Sequence, residues 1–189
     1  MPRGRAGVER VSVAGPRALA QTEDGASAVT DWRRFATMLG LVALPVFAFD
    51  QLVKLYIVGH LRLFEQIDIV PHWLAITYTL NSGAAFSLFA NLGPAVRALM
   101  LGGLAGAAVV VLGFLLARGA RPPVVTAAFA LIMGGAAGNL LDRIVRGRVV
   151  DFIYVHYYSW SYPVFNIADS AITIGVAIIL VHSVFSTRD

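Results

Sequence analysis

Hydrophobic residues in this chain gather into four long runs. Phe35 to Val58, Pro94 to Ala117, Pro123 to Asp142 and Ile167 to Phe185 each approach the ~20 apolar residues a helix needs to cross a bilayer. The pattern predicts four membrane-spanning helices. Two of the joining segments are not ordinary linkers. His60 to Leu92 contains the alternating stretch LAITYTL, Leu74 to Leu80, and Arg143 to Phe165 is rich in Val, Tyr, Trp and Phe. Backbone at a membrane surface must satisfy its hydrogen bonds, so these segments predict a small sheet on the outer membrane face. The expected fold class is therefore a membrane all-α bundle of four transmembrane helices with a small β-sheet cradle and loop outside. Trp73, Tyr157, Tyr158, Trp160 and Tyr162 suit the headgroup level. Residues 1–31 are rich in Arg, Ala, Gly and Ser and read as a disordered tail. No apolar core follows their arginines as a secretory signal would require. The membrane domain is expected over 32–189.

Composition agrees with this reading. Of 189 residues, 58% are hydrophobic and only 14% charged, far from the balance of a soluble domain. The absence of cysteine excludes disulfides, thiol nucleophiles and cysteine-held zinc. His60, His72, His156 and His182 are scattered, without the spacing of a metal site, so no metal or cofactor is expected. The net charge of +4 is nearly all arginine, and Lys54 is the sole lysine. Arg33, Arg34, Arg118, Arg121 and Arg188 all flank predicted helices on one side. That places both termini in the cytoplasm, with Arg143, Arg146 and Arg148 as exceptions in the outer loop. The arginines read as topology and lipid contact, and nothing points to nucleic acid.

Ionisable residues inside spans cost roughly 2.5–3.5 kcal/mol each on insertion scales and mark functional sites by default. Here they collect near the predicted outer helix ends. Asp50 and Lys54, at i and i+4, share a helix face and pair, brace the bundle, or both. In GGAAGNLLDR, Gly134 and Gly138 allow close helix approach, and Asn139, Asp142 and Arg143 form one polar face. Asp142 is placed to pair with a neighbouring arginine. NSGAAFS, Asn81 to Ser87, has turn chemistry. In FNIADS, Asn166 and Asp169 resemble a helix N-cap and its capping box. Asp151, eighteen residues before Asp169, has no capping position. Two carboxylates held close share a proton and can serve as base and acid on a water and a leaving amine. A proton path through the bilayer and a non-catalytic scaffold remain alternatives. The first needs carboxylates at mid-membrane. The second needs both aspartates to be dispensable.

Taken in order, DQLVK (Asp50 to Lys54), NSGAAFS, GNLLDRIVRGRVVDF (Gly138 to Phe152) and FNIADSA (Phe165 to Ala171) make the chain resemble the bacterial lipoprotein signal peptidases, or signal peptidase II. The resemblance covers about Phe35 to Phe185. It implies a membrane aspartyl endopeptidase of the bacterial plasma membrane. Such enzymes cut the signal peptide from prolipoproteins before a diacylglyceryl-modified cysteine. It further implies Asp151 and Asp169 as the catalytic pair, and Asn139, Arg143, Asn166, Asn81, Asp50, Lys54 and Gly138 as supporting or substrate-binding positions. Asp142 matches no catalytic position. The implied partners are the lipid-modified prolipoprotein and membrane lipids. The enzyme is expected to be a monomer without cofactor, its site near the outer face.

Overall fold

The computed structural model describes residues 32–83, 93–118 and 121–186. Four helices cross the molecule: α1 Trp32–His60, α2 Pro94–Ala117, α3 Pro123–Arg146 and α4 Ile167–Ser186. All four are long and apolar enough to span a membrane, as the runs predict. Between them lie strands β1 Gln66–Val70, β2 Leu74–Asn81, β3 Val149–Tyr157 and β4 Trp160–Ser161, joined antiparallel in that order. The expected tail, 1–31, the AAFS half of NSGAAFS, and Arg188 lie outside the described residues.

Local chemistry explains the helix details. Over Leu39–Ala43, α1 widens into a π-turn, and the Leu44 N–H reaches back five residues to Leu39. Pro45 follows at once and has no N–H to continue the ordinary ladder. Helix α3 runs one turn further than its apolar run. Arg143 and Arg146 therefore sit in its last turn, not in the loop expected from the sequence. The turn holds because Asp142 pairs with Arg146 and because Gly147 takes the left-handed conformation, φ 70°, that closes a helix end.

Packing radiates from α3. A Cβ on Gly134 would lie 2.5 Å from the Ala43 carbonyl oxygen, and one on Gly135 2.4 Å from that of Ala168. These glycines let α3 press directly on the backbones of α1 and α4. One apolar cluster, Ala43, Leu116, Ala130 and Met133, ties α1, α2 and α3. A second, Ile57, Val150 and Phe152, seats the sheet on the end of α1. Leu99, Leu104 and Val110 of α2 stay exposed, as lipid-facing residues do.

The sheet carries Asp151 to the bundle. On β3, Asp151 is in register with Thr79 of β2. The opposite edge of β3 is filled by Phe165, whose N–H donates to the Ile153 carbonyl at 3.0 Å and whose carbonyl accepts from Phe152 and Ile153. The chain between Asp151 and Asp169 therefore folds back on itself and enters α4 beside β3. Trp73, Tyr158, Trp160 and Tyr162 are exposed on the sheet side. Trp73 packs on Tyr157, and His72 stacks on Tyr158.

Candidate active site

Every candidate site residue named from the sequence (Asp50, Lys54, Asn81, Gly138, Asn139, Arg143, Asp151, Asn166 and Asp169) lies at one end of the bundle, where α1 and α3 finish, α4 starts and the sheet begins. Asp151 comes from β3 and is 1% exposed. Asp169 comes from the first turn of α4 and is half-buried. Its surroundings satisfy the capping geometry: Asn166 Oδ1 accepts the Asp169 N–H at 2.9 Å, and Asp169 Oδ2 accepts the Asn166 N–H at 3.3 Å. The same asparagine turns its Nδ2 to Asp151 Oδ1 at 2.7 Å. One residue thus joins the two carboxylates. The asparagine of the capping box is also the one that reaches Asp151.

Three asparagine amides surround the pair, and each has its orientation fixed by a donor on its oxygen. The Asn81 oxygen accepts the Gly83 N–H at 2.7 Å, so its Nδ2 donates to Asp151 Oδ2 at 2.8 Å. The Asn166 oxygen accepts from Asp169, so its Nδ2 faces Asp151. The Asn139 oxygen accepts from Lys54 Nζ at 3.2 Å, leaving its Nδ2 to donate to Asp169 Oδ1 at 2.7 Å. An amide presents a donor on one side only when its acceptor side is occupied elsewhere.

Beneath the pair lies a largely buried ionic layer. Lys54, Asp50 and Asp142 are fully buried. Lys54 meets Asp50 at 2.7 Å and Asp142 at 2.8 Å, and Arg146 closes on Asp142 at 2.6 Å. Two acids and two bases balance, as buried charge requires. Asp50 also accepts the Ala168 N–H at 2.9 Å, capping α4 from a different helix, and occupies the space a Cβ on Gly138 would need. Arg143 donates to the Asn139 carbonyl at 3.0 Å.

Burial raises the Asp151 carboxyl to about 6, aided by the Asp169 charge and opposed by the Asn81 and Asn166 donors and by Lys54. Asp169 opens onto a crevice of ≈ 310 Å³ walled by Tyr162, Phe165, Thr173 and Ile174. Arg143 borders another of ≈ 310 Å³ between α2 and α3. A larger cavity, ≈ 660 Å³, runs along α4 past Ile178, Val181 and Phe185. None of its lining residues is a carboxylate.

Two contributors were not singled out from the sequence. Gln51 donates to Asp50 and to the Gly138 carbonyl, each at 3.1 Å. Thr79 donates to the Asp151 carbonyl at 3.2 Å. Gln51 was within reach of sequence reasoning, as a polar residue next to Asp50 inside an apolar run. Thr79 in an alternating strand gives no such signal. Beside the pair, Ser170 donates its hydroxyl to the Asn166 carbonyl at 3.0 Å. Ser87 lies outside the described residues.

Comparison with known proteins identifies the family. A family model described as signal peptidase (SPase) II matches residues 42–185. A lipoprotein signal peptidase of Syntrophotalea carbinolica is 43% identical over 145 residues, covering 76% of this chain and 88% of that protein. One from Pseudomonas fluorescens is 42% identical over 149 residues, covering 78% and 86%. A bacterial membrane enzyme solved by the in meso method at 2.3 Å superposes with a TM-score of 0.71 at 31% identity, over 79% of this chain and 89% of that one. The matched stretch contains every residue of the cluster, and the chain belongs to the signal peptidase II family.

Proposed function

We propose that this protein is a membrane aspartic endopeptidase that frees prolipoproteins of their signal peptides, with Asp151 and Asp169 as its catalytic pair. The observation that carries the reading is the asparagine bridge between a fully buried and a half-buried carboxylate at the mouth of the bundle. The ionised carboxylate takes a proton from water as the water oxygen attacks the scissile carbonyl. The protonated carboxyl gives its proton to the leaving nitrogen as the C–N bond breaks. The proton count is restored after one turnover. The signal peptide leaves with a new carboxylate, and the lipid-bearing cysteine keeps a new amine. The pair titrates as a unit, and the two roles belong to the pair.

The surroundings suit such a substrate. Exposed aromatics keep the sheet at headgroup depth, and the crevice beside Asp169 is open and apolar. A diacylglyceryl group can stay in lipid while the peptide lies against the sheet. Asn139, Asn166 and Asn81 orient the carboxylates. Arg143 lies at the rim for substrate backbone, and Asp50, Lys54 and Gly138 support from below. Arg33, Arg34, Arg118 and Arg121 flank the other end. The site is thus read as facing outward and both termini as cytoplasmic, with 1–31 an extension on that side. All these groups come from one chain, so a monomer suffices.

Asp151→Asn and Asp169→Asn, each assayed on a diacylglyceryl-modified prolipoprotein, should lose about 10²–10⁴-fold in cleavage. Near-full activity in either folded variant would end the assignment.

A further inference from the structure

The sequence gives Asp142 no catalytic match, yet its carboxylate is wholly buried and bonded on every side. One oxygen accepts Arg146 at 2.6 Å. The other accepts Lys54 at 2.8 Å and the Val150 N–H at 3.2 Å. Val150 directly precedes Asp151. At this point β3 has β2 on one edge only, and the backbone groups of Val150 face away from it. Their partners are side chains: Asp142 accepts the N–H, and Asn166 Nδ2 donates to the carbonyl at 3.3 Å. Asp142 and Asn166 stand in for a missing strand at the position that sets where Asp151 points.

Lys54 completes the link. Its three N–H groups go to Asp50, Asp142 and the Asn139 oxygen. An ammonium has three donors, so none is left over. The last contact forces Asn139 Nδ2 toward Asp169. Two short paths therefore leave one ion pair. Through Val150 it reaches Asp151, and through Asn139 it reaches Asp169. Neither Lys54 nor Asp142 touches either aspartate.

We infer that the buried Lys54–Asp142 pair is the positioning element of the site, holding both carboxylates of the proposed dyad in one geometry from beneath. This rests on the Asp151–Asp169 reading and adds Asp142 to it. Misplacing a catalytic group by about 1 Å can cost about 10²-fold in rate, so the effect should appear in kcat and not in substrate affinity. Lys54 also draws the Asp151 carboxyl downward, against burial. Its loss should move the limb of the pH profile set by the shared proton to higher pH.

The test uses the full chain in detergent or lipid with a diacylglyceryl-modified peptide, rates being normalised to the folded fraction from a melting curve. Lys54→Met and Asp142→Ala should each lower kcat about 10²-fold, with KM within about twofold. Lys54→Met should shift the pH limb upward. Asp142→Asn keeps an acceptor for Val150 and should recover part of the rate lost in Asp142→Ala. A merely structural pair would change the melting curve while leaving kcat and pH limb per folded enzyme as in the wild type, and that result would overturn the inference. Should the first two variants fail to fold, Asp142→Asn carries the test alone: it should show reduced kcat, and wild-type kcat would overturn it. If Asp151→Asn and Asp169→Asn remain active in the same assay, the dyad reading fails. If they are dead while the Lys54 and Asp142 variants match wild type, only this inference fails.

Discussion

Helices α2 and α3 have the same length, 24 residues, and both begin at a proline. Yet 6% of the most apolar window of α2 is buried inside the protein, against 44% for α3. Both are apolar enough to span, and the more apolar of the two, α2 with mean hydropathy 2.4 against 1.8, is the less buried, because lipid and protein interior are alike to an apolar side chain. What separates them is the glycine environment and the polar end. A Cβ on Gly102 or Gly103 of α2 meets nothing within 4 Å, while one on Gly134, Gly135 or Gly138 of α3 meets an oxygen at 2.4–2.6 Å. In a membrane, apolarity says that a helix spans. Small residues and misplaced polar ones say which helix the others are built around.

That contrast can be broken by substitution. Gly135→Leu should be the most damaging, because the added carbon meets the backbone oxygen of Ala168 and α4 must move. A loss of about 3 kcal/mol or more is expected by thermal or denaturant unfolding in micelles. Survival of Gly135→Leu at wild-type stability would remove α3 from the centre of the packing.

Next in size is the cost of burying Asp151. Its carboxyl titrates near 6 in the folded protein against an ordinary 3.8, so the unfolded chain releases this proton first. This group's contribution to the folded state is greatest below pH 4. It loses ground as pH rises toward 6, by up to about 3 kcal/mol. Asp151→Asn has no such proton. Whatever fixed cost the lost acceptor brings, stability of the variant relative to wild type should climb between pH 4 and 6.5, read from melting midpoints. A flat difference would mean that burial does not raise this group.

Gly138→Ala is subtler. The methyl pushes on the Asp50 carboxylate, a side chain able to give way, so about 1–2 kcal/mol is expected. Activity should fall further than stability does, since Asp50 holds both Lys54 and the start of α4. At the small end, Gly103→Ala should stay within about 0.5 kcal/mol. A large loss there would show a partner surface on α2.

The spans were legible because ~20 apolar residues in a row have few other uses. The sheet was legible at Leu74–Leu80 through alternation, and Asp151, Asp169 and the asparagines stood out as polar residues in apolar surroundings. The extra turn of α3 was not, since Arg143 to Arg146 carries no apolar stripe and is held by Asp142 and Gly147. Nor was the role of Asp142. A neighbouring arginine accounted for it, and the contact that matters joins it to Lys54, in another helix. The bonds that bring Asp50 to Ala168 and Lys54 to Asn139 link residues 118 and 85 apart. Sequence shows which groups need partners, and only the folded chain shows which partners they take.

The order of the pieces along the chain has a consequence for biogenesis. Asp50, Lys54, Asn139, Asp142 and Asp151 all precede the last span, and Asn166 and Asp169 open it. A nascent chain with three helices inserted holds the brace and one acid, but neither the second carboxylate nor the asparagine that joins them. With Asp151 and Asp169 as the proposed pair, competence would arrive in a single late step, when α4 docks against α3 and its first turn is capped by Asp50 of the first helix. Until that step, the chain lacks one half of the proposed dyad.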